Sequence, residues 1–121
     1  MNDLTLGAVE SRFADIIWVN EPIASAELAR QSQEVLGWKK STTYTVLKRL
    51  CDKGIFKNEN GTVTSLISKV DFYSRQSERF VEQNFDGSLP AFLAAFTAHK
   101  RLTDSEVLEL RRMVEQYEEK E

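Results

Sequence analysis

The sequence predicts a mainly α protein with one small β-hairpin, in the order helix, helix, helix, hairpin, helix, helix, helix. Three observations carry that prediction. Apolar residues recur at helical spacing through three successive segments closed by Pro or Gly. An Asn60-Gly61 pair then separates two short runs rich in strand-forming residues. After residue 70 helical patterning returns with its own capping signals. The 121 residues suffice for one compact domain with a small appendage. No run approaches the roughly 20 apolar residues of a membrane span. The start, Met1-Asn2-Asp3-Leu4, lacks the basic-then-apolar layout of a secretory signal, so a cytoplasmic chain without membrane contact is expected.

Leu6, Val9, Phe13, Ile16 and Ile17 form one stripe of the first helix, which Asn20 and Pro22 end. Ser25 to Leu36 reads as the second, with Ser25 as N-cap, Glu27 in the first turn, a stripe of Leu28, Ala29, Val35 and Leu36, and a terminating Gly37. The third runs from about Lys40 to Lys53 and stops at Gly54. Its stripe of Thr43, Val46, Leu47, Leu50 and Cys51 puts Cys51 on the buried face. Ile55-Phe56-Lys57, the turn Asn58-Glu59-Asn60-Gly61 and the β-branched run Thr62 to Ile67 make the hairpin. A fourth helix covers about Asp71 to Phe85 and closes at Asp86-Gly87; a fifth carries Leu89, Phe92, Leu93 and Phe96, with Pro90 tolerable in its first turn. The sixth opens on the capping box Thr103-Asp104-Ser105-Glu106 and continues with Val107, Leu110, Val114 and Tyr117 along one face.

Three helices with a tight second-to-third connection, followed directly by a hairpin, is the chain order of a winged helix-turn-helix, here residues 4–69. Residues 70–121 then hold Phe72, Phe80, Val81, Phe85, Leu89, Phe92, Leu93, Phe96, Val107, Leu110 and Val114 on thin helices that would struggle to bury both sides alone. Pairing with a second copy buries them, so these residues are expected to form a dimerisation domain.

A net charge of −3 argues at first sight against a phosphate-bearing partner. The distribution reverses the impression. Lys39, Lys40, Lys48, Arg49, Lys53 and Lys57 face only Asp52, a local +5, whereas the chain from Asp71 onward carries −4. The third helix combines an apolar side with an outward side of Ser41, Thr42, Thr45, Lys48, Arg49 and Asp52, and Lys39, Lys40 and Tyr44 stand at or near its N-terminal end. That pairing is what a helix reading DNA requires. Thr42, Tyr44 and Thr45 are sized for base edges and thymine methyls, while Lys48 and Arg49 suit phosphates. Helix N-terminal N–H groups reinforce Lys39 and Lys40. Asp52 is expected to pair with Lys48, one turn earlier.

Leu6-Gly7-Ala8-Val9-Glu10, Ile16-Ile17-Trp18, Gly37-Trp38, Ser41-Thr42, Thr45-Val46-Leu47-Lys48-Arg49-Leu50 and Lys53-Gly54 together resemble the penicillinase-repressor (BlaI/MecI/CopY) family over nearly the whole chain. The most specific element is Trp38 to Leu50. The resemblance implies a homodimeric winged-helix repressor, dimerised through C-terminal helices and bound to inverted-repeat operators with TACA/TGTA cores. Thr42 and Thr45 match its recognition-helix threonines and Arg49 its arginine. Three departures stand out. The family's wing reads Glu-Gly-Arg followed by aromatics, but here Asn60-Gly61-Thr62-Val63-Thr64 lacks the arginine, leaving Lys57 to substitute. Where penicillin-responsive members are cleaved at Asn-Phe, this chain has Ala95-Phe96; the Asn84-Phe85 pair lies eleven residues earlier. No cysteine-rich C-terminal metal hook follows Tyr117. A β-lactam or copper signal is therefore unsupported, and the inducer or sensor protein that such a repressor calls for is left unidentified by the sequence.

Cys51 alone forms no internal disulfide, and with His99 supplies no tetrahedral zinc site, so no metal or cofactor is expected. Cys51 reads as a small core residue, His99 as a surface or interface group, and Trp18 and Trp38 as packing anchors. No glycine-rich phosphate loop, nucleophile elbow or metal-ligand spacing supports an enzyme. The competing reading is a winged-helix protein-interaction module that never touches DNA. The weakened wing favours it; the +5 patch and the threonine spacing oppose it.

Overall fold

The computed structural model describes residues 5–119, so the expected domain limits at residues 4 and 121 lie outside the described residues. Helix α1 spans Ala8–Asn20, α2 Ser25–Leu36 and α3 Lys40–Asp52; strands β1, β2 and β3 span Ile23–Ala24, Phe56–Glu59 and Thr62–Ser65; α4, α5 and α6 span Lys69–Phe85, Leu89–Thr97 and Asp104–Glu119. The mainly α architecture with a small hairpin is as the sequence predicts.

Gly7 caps α1, and its N–H donates to Glu10 Oε1 at 3.3 Å. Phe13, Ala14 and Ile17 bury the helix's inner face, while Val9 at the edge of the stripe is half exposed. α2 ends where expected, because Gly37 adopts φ 71° and returns its N–H to Gln33 while Trp38 N–H reaches Ser32. Its start differs. Ser25 is the first helical residue and Ala24 the cap, since Ala24 is drawn into β1 and Ser25 N–H donates to Gly61 O at 2.8 Å.

The sheet is antiparallel in the order β1-β3-β2, with Ile23 opposite Val63 and Asn58 opposite Val63 on the other side. Asn60 and Gly61 take φ 53° and 83°, the two left-handed positions that a tight two-residue hairpin turn demands. β1 is an addition to the expected two strands.

These elements close over Phe13, Ile17, Leu28, Leu50, Ile55, Phe56 and Val63, all fully buried. Trp18 lies against Phe56, Phe72 and Tyr73, and its indole N–H donates to Ile67 O at 3.1 Å; Trp38 packs on Phe13. Both tryptophans are packing anchors.

The chain divides into two compact units, one ending at Arg79 and the other beginning at Phe80. The division thus falls inside α4 rather than at the expected 69/70. Phe72 explains the shift and corrects an expectation: it is fully buried in the core of the first unit, in edge-to-face contact with Tyr73, and is not available to a second copy. Helical periodicity identifies an inward face without saying which core it enters.

In the second unit, Ser88 Oγ caps α5 by accepting from Ala91 N–H. Thr103 and Glu106 form the expected reciprocal capping box of α6, with bonds of 2.9 and 3.1 Å. Phe80, Phe85, Phe92 and Phe96 make a chain of ring contacts at 5.6 to 6.1 Å. None of the described residues of this unit is buried. Among the described residues, no helix is long and apolar enough to cross a membrane.

Candidate nucleic-acid interface

α3 has the two sides that its sequence implies. Thr43, Val46, Leu47 and Leu50 point inward, and Ser41, Thr42, Thr45, Lys48, Arg49 and Asp52 are exposed. Winding these positions at 100° per residue puts Lys48, Ser41, Asp52 and Thr45 along the centre of the outer face. Thr42 and Arg49 stand on one flank and Tyr44 on the other. Thr45 Oγ1 donates to Ser41 O at 2.9 Å, so its hydroxyl proton is spent within the helix. What Thr45 offers outward is a methyl group and an oxygen lone pair.

The six cations expected to form a single patch sort into two groups. Lys39, Lys40 and Lys48 are exposed and form no ion pair among the described residues, and the Lys40 ammonium lies 6.0 Å over the Tyr44 ring. The others are engaged by the fold. Arg49 donates to Glu10 Oε2 at 3.1 Å, Lys57 pairs with Glu59 at 3.4 Å, and Lys53 donates to Thr5 O at 3.0 Å. Lys57 therefore does not make the wing positive, because Glu59, two residues along the same exposed strand, offsets it. The expected Asp52–Lys48 pair is absent among the described residues. Asp52 acts instead on its neighbour Cys51.

Tyr44 is half-buried, and its hydroxyl donates to Ser25 Oγ at 3.4 Å. Ser25 N–H is in turn held by Gly61 O at the hairpin turn, so one residue joins the start of α2, the wing and α3. This junction escapes sequence reading because a serine at the start of a helical stripe reads equally well as an N-cap, a role that Ala24 takes instead. Cys51 is half-buried rather than fully enclosed; burial, then the Asp52 carboxylate, raises its thiol pKa, which disfavours the reactive thiolate. His99 is exposed after α5. Among the described residues, no cluster of three or more His, Cys, Asp or Glu is placed to hold a metal.

Of the expected dimerisation residues in the second unit, Phe80, Leu89, Phe96 and Val114 are 44 to 59% exposed. Val81, Phe85, Phe92, Leu93, Val107 and Leu110 are partly covered. A groove between α5 and α6 is lined chiefly by Phe92, Leu93, Phe96, Leu102, Leu110 and Met113. Leu108, Met113 and Tyr117 extend the exposed apolar surface of α6. Leu108 and Met113 lie outside the expected dimerisation residues, although Met113 follows Leu110 at helical spacing.

The family model described as penicillinase repressor matches residues 6–116. The chain is 26% identical over 106 residues to a protein of Bacillus licheniformis named penicillinase repressor, covering 84% of this chain and 83% of that one. It is 23% identical over 113 residues to the methicillin resistance regulatory protein MecI of Mammaliicoccus sciuri, covering 90% and 92%.

Proposed function

Because this chain belongs to the penicillinase repressor family, a family of regulatory proteins and not of enzymes, we propose that it represses transcription by binding double-stranded operator DNA as a homodimer. α3 enters the major groove, and Ser41, Thr42 and Thr45 read base edges from the centre and flank of its exposed face. Lys39, Lys40 and Lys48 supply phosphate contacts. The observation that carries this reading is the exposed side of α3: Ser41, Thr42, Thr45 and Lys48 face outward, Lys39 and Lys40 are exposed at its N-terminal end, and none of these three lysines forms an ion pair among the described residues.

The homodimer is supported by the second unit, whose described residues include the half-exposed Phe80, Leu89, Phe96 and Val114 and none buried. Two-fold symmetry then places two α3 helices about one helical turn apart on an inverted repeat. An inducer or a sensor protein releases the complex.

Binding to a labelled inverted repeat with TACA/TGTA cores, against a scrambled duplex of equal length, tests the proposal across a salt series. Three open lysines per protomer give about six phosphate contacts per dimer, so log affinity falls against log salt with a slope of about −5. The slope steepens toward about −7 to −11 only if Arg49, Lys53 and Lys57 leave their intramolecular partners. The electrically neutral wing favours the competing interaction module. A slope near zero, with no preference for the repeat, would overturn the DNA-binding reading.

A further inference from the structure

We propose that the crease between α3 and β2 seats a phosphate of the DNA backbone, with Lys48 as its counter-charge and the Asn58 side-chain amide as its neutral donor. This rests on the DNA-binding reading above and adds Asn58, a residue that neither motif nor charge singles out. The crease is lined by Tyr44, Leu47, Lys48 and Cys51 from α3 and by Asn58 from β2. Leu47 is its buried floor, Tyr44 and Cys51 are half-buried walls, and Lys48 and Asn58 form the exposed rim. No carboxylate lines it.

Two features make the rim unusual. Asn58 is the cross-strand partner of the buried Val63, so the two share a face of the hairpin. Strand alternation from the buried Phe56 likewise makes position 58 inward-facing, where an apolar residue is the ordinary choice. An amide stands there with no side-chain hydrogen-bond partner among the described residues, beside a lysine without an ion pair. A helix in the major groove is flanked on both sides by the phosphate strands that bound a groove about 12 Å wide. On one flank of α3 the guanidinium of Arg49 is already held by Glu10. On the other, this crease presents an open cation and an open amide. Tyr44 is a wall rather than a donor, its proton being directed at Ser25.

The test uses the full chain, the inverted repeat and the scrambled duplex. Asn58→Asp keeps the side chain's shape and puts a carboxylate on the rim; it is expected to weaken binding to both duplexes at least about tenfold, and Asn58→Ala to weaken both by a smaller factor. Cys51, the only cysteine of the chain, reports occupancy directly: saturating DNA is expected to slow its alkylation by N-ethylmaleimide severalfold. If the wild type binds DNA while Asn58→Asp binds equally well and alkylation is unchanged, the crease assignment is overturned and the DNA-binding reading stands. A loss confined to the inverted repeat overturns the phosphate assignment in favour of a base contact. A wild type that binds neither duplex overturns both.

Discussion

Arg49 on α3 donates to Glu10 on α1 at 3.1 Å, and the same carboxylate accepts the Gly7 N–H that opens α1. One side chain thus caps a helix and ties the helix proposed to read DNA to the domain beneath it. Arg49 is accordingly a fastening of α3 first, and reaches a phosphate only by leaving Glu10.

That arrangement separates two variants usually expected to behave alike. Glu10→Ala removes the cap and the pair, Arg49→Ala the pair alone. With both partners partly exposed, the pair contributes about 0.2 to 1 kcal/mol. The lost cap adds a comparable amount in Glu10→Ala. Urea unfolding is expected to rank Glu10→Ala below Arg49→Ala, and the double variant to be no less stable than Glu10→Ala by more than a few tenths of a kcal/mol. Additive losses would show that the two residues do not act together.

Thr45 differs from Lys48 in what it offers. With its proton on Ser41 O, Thr45 contributes shape, a methyl and a lone pair, whereas Lys48 contributes charge. Thr45→Ala is expected to weaken binding to the inverted repeat by about 1 to 3 kcal/mol with little change on scrambled DNA. Lys48→Ala is expected to weaken both and to flatten the salt slope by about 1 per protomer. Anisotropy titrations on the two duplexes check this. Equal losses for Thr45→Ala on both would remove its role in reading bases.

Glu27 supplies an acid-sensitive contact on α2. Hydrogen bonds from Arg30, then from Gln31, lower its pKa from 4.5 to about 2. Since the folded value lies below the unfolded one, the stabilisation is complete above about pH 4.5 and is lost as pH falls toward 2. Glu106 shifts in the same direction because Thr103 caps with it. Glu27→Gln is therefore expected to flatten the acid limb of the stability curve over that interval, seen as a smaller drop in urea midpoint between pH 5 and 2.5. Both groups are exposed, so raising the salt concentration narrows the difference. An unchanged acid limb would leave the contact without thermodynamic effect.

What could be read from the sequence follows from the range of each interaction. α2 closes at Leu36 and α6 opens at Asp104 as expected, because Gly37 and the Thr103–Glu106 box act within a few residues. The hairpin turn was equally legible in Asn60-Gly61. β1 was not: two residues after Pro22 hold no alternation, and only β3, some 40 positions on, makes them a strand. The outer face of α3 was legible as a pattern, but the engagement of Arg49 by Glu10 and of Lys57 by Glu59 was not, because charge counting has no partner assignments. Phe72 shows the same limit. Its helical phase marked it as inward-facing, yet burial against Trp18 and Tyr73 depends on tertiary packing.

Phe72 and Phe96 make opposite predictions about association. Phe72 is fully enclosed in the first unit, so Phe72→Ala opens a cavity there and is expected to cost about 3 to 5 kcal/mol of unfolding free energy. The association of the folded protein should survive, because no surface proposed to meet a second copy is changed. Phe96 is 44% exposed and lines a groove with Leu110 and Met113 of α6, so a large part of its ring is open to a second copy. Phe96→Asp gives up the ring contact with Phe92 within the second unit and places a charge where a second copy would have to desolvate it. Its mass by light scattering is expected to fall to that of a single chain. The unfolding of the first unit, followed through Trp18 and Trp38 fluorescence, should be nearly unchanged. A dimeric Phe96→Asp protein would place the contact elsewhere on the second unit, and a monomeric wild type would remove the dimer altogether. A monomeric Phe72→Ala protein that is still folded would return Phe72 to the interface.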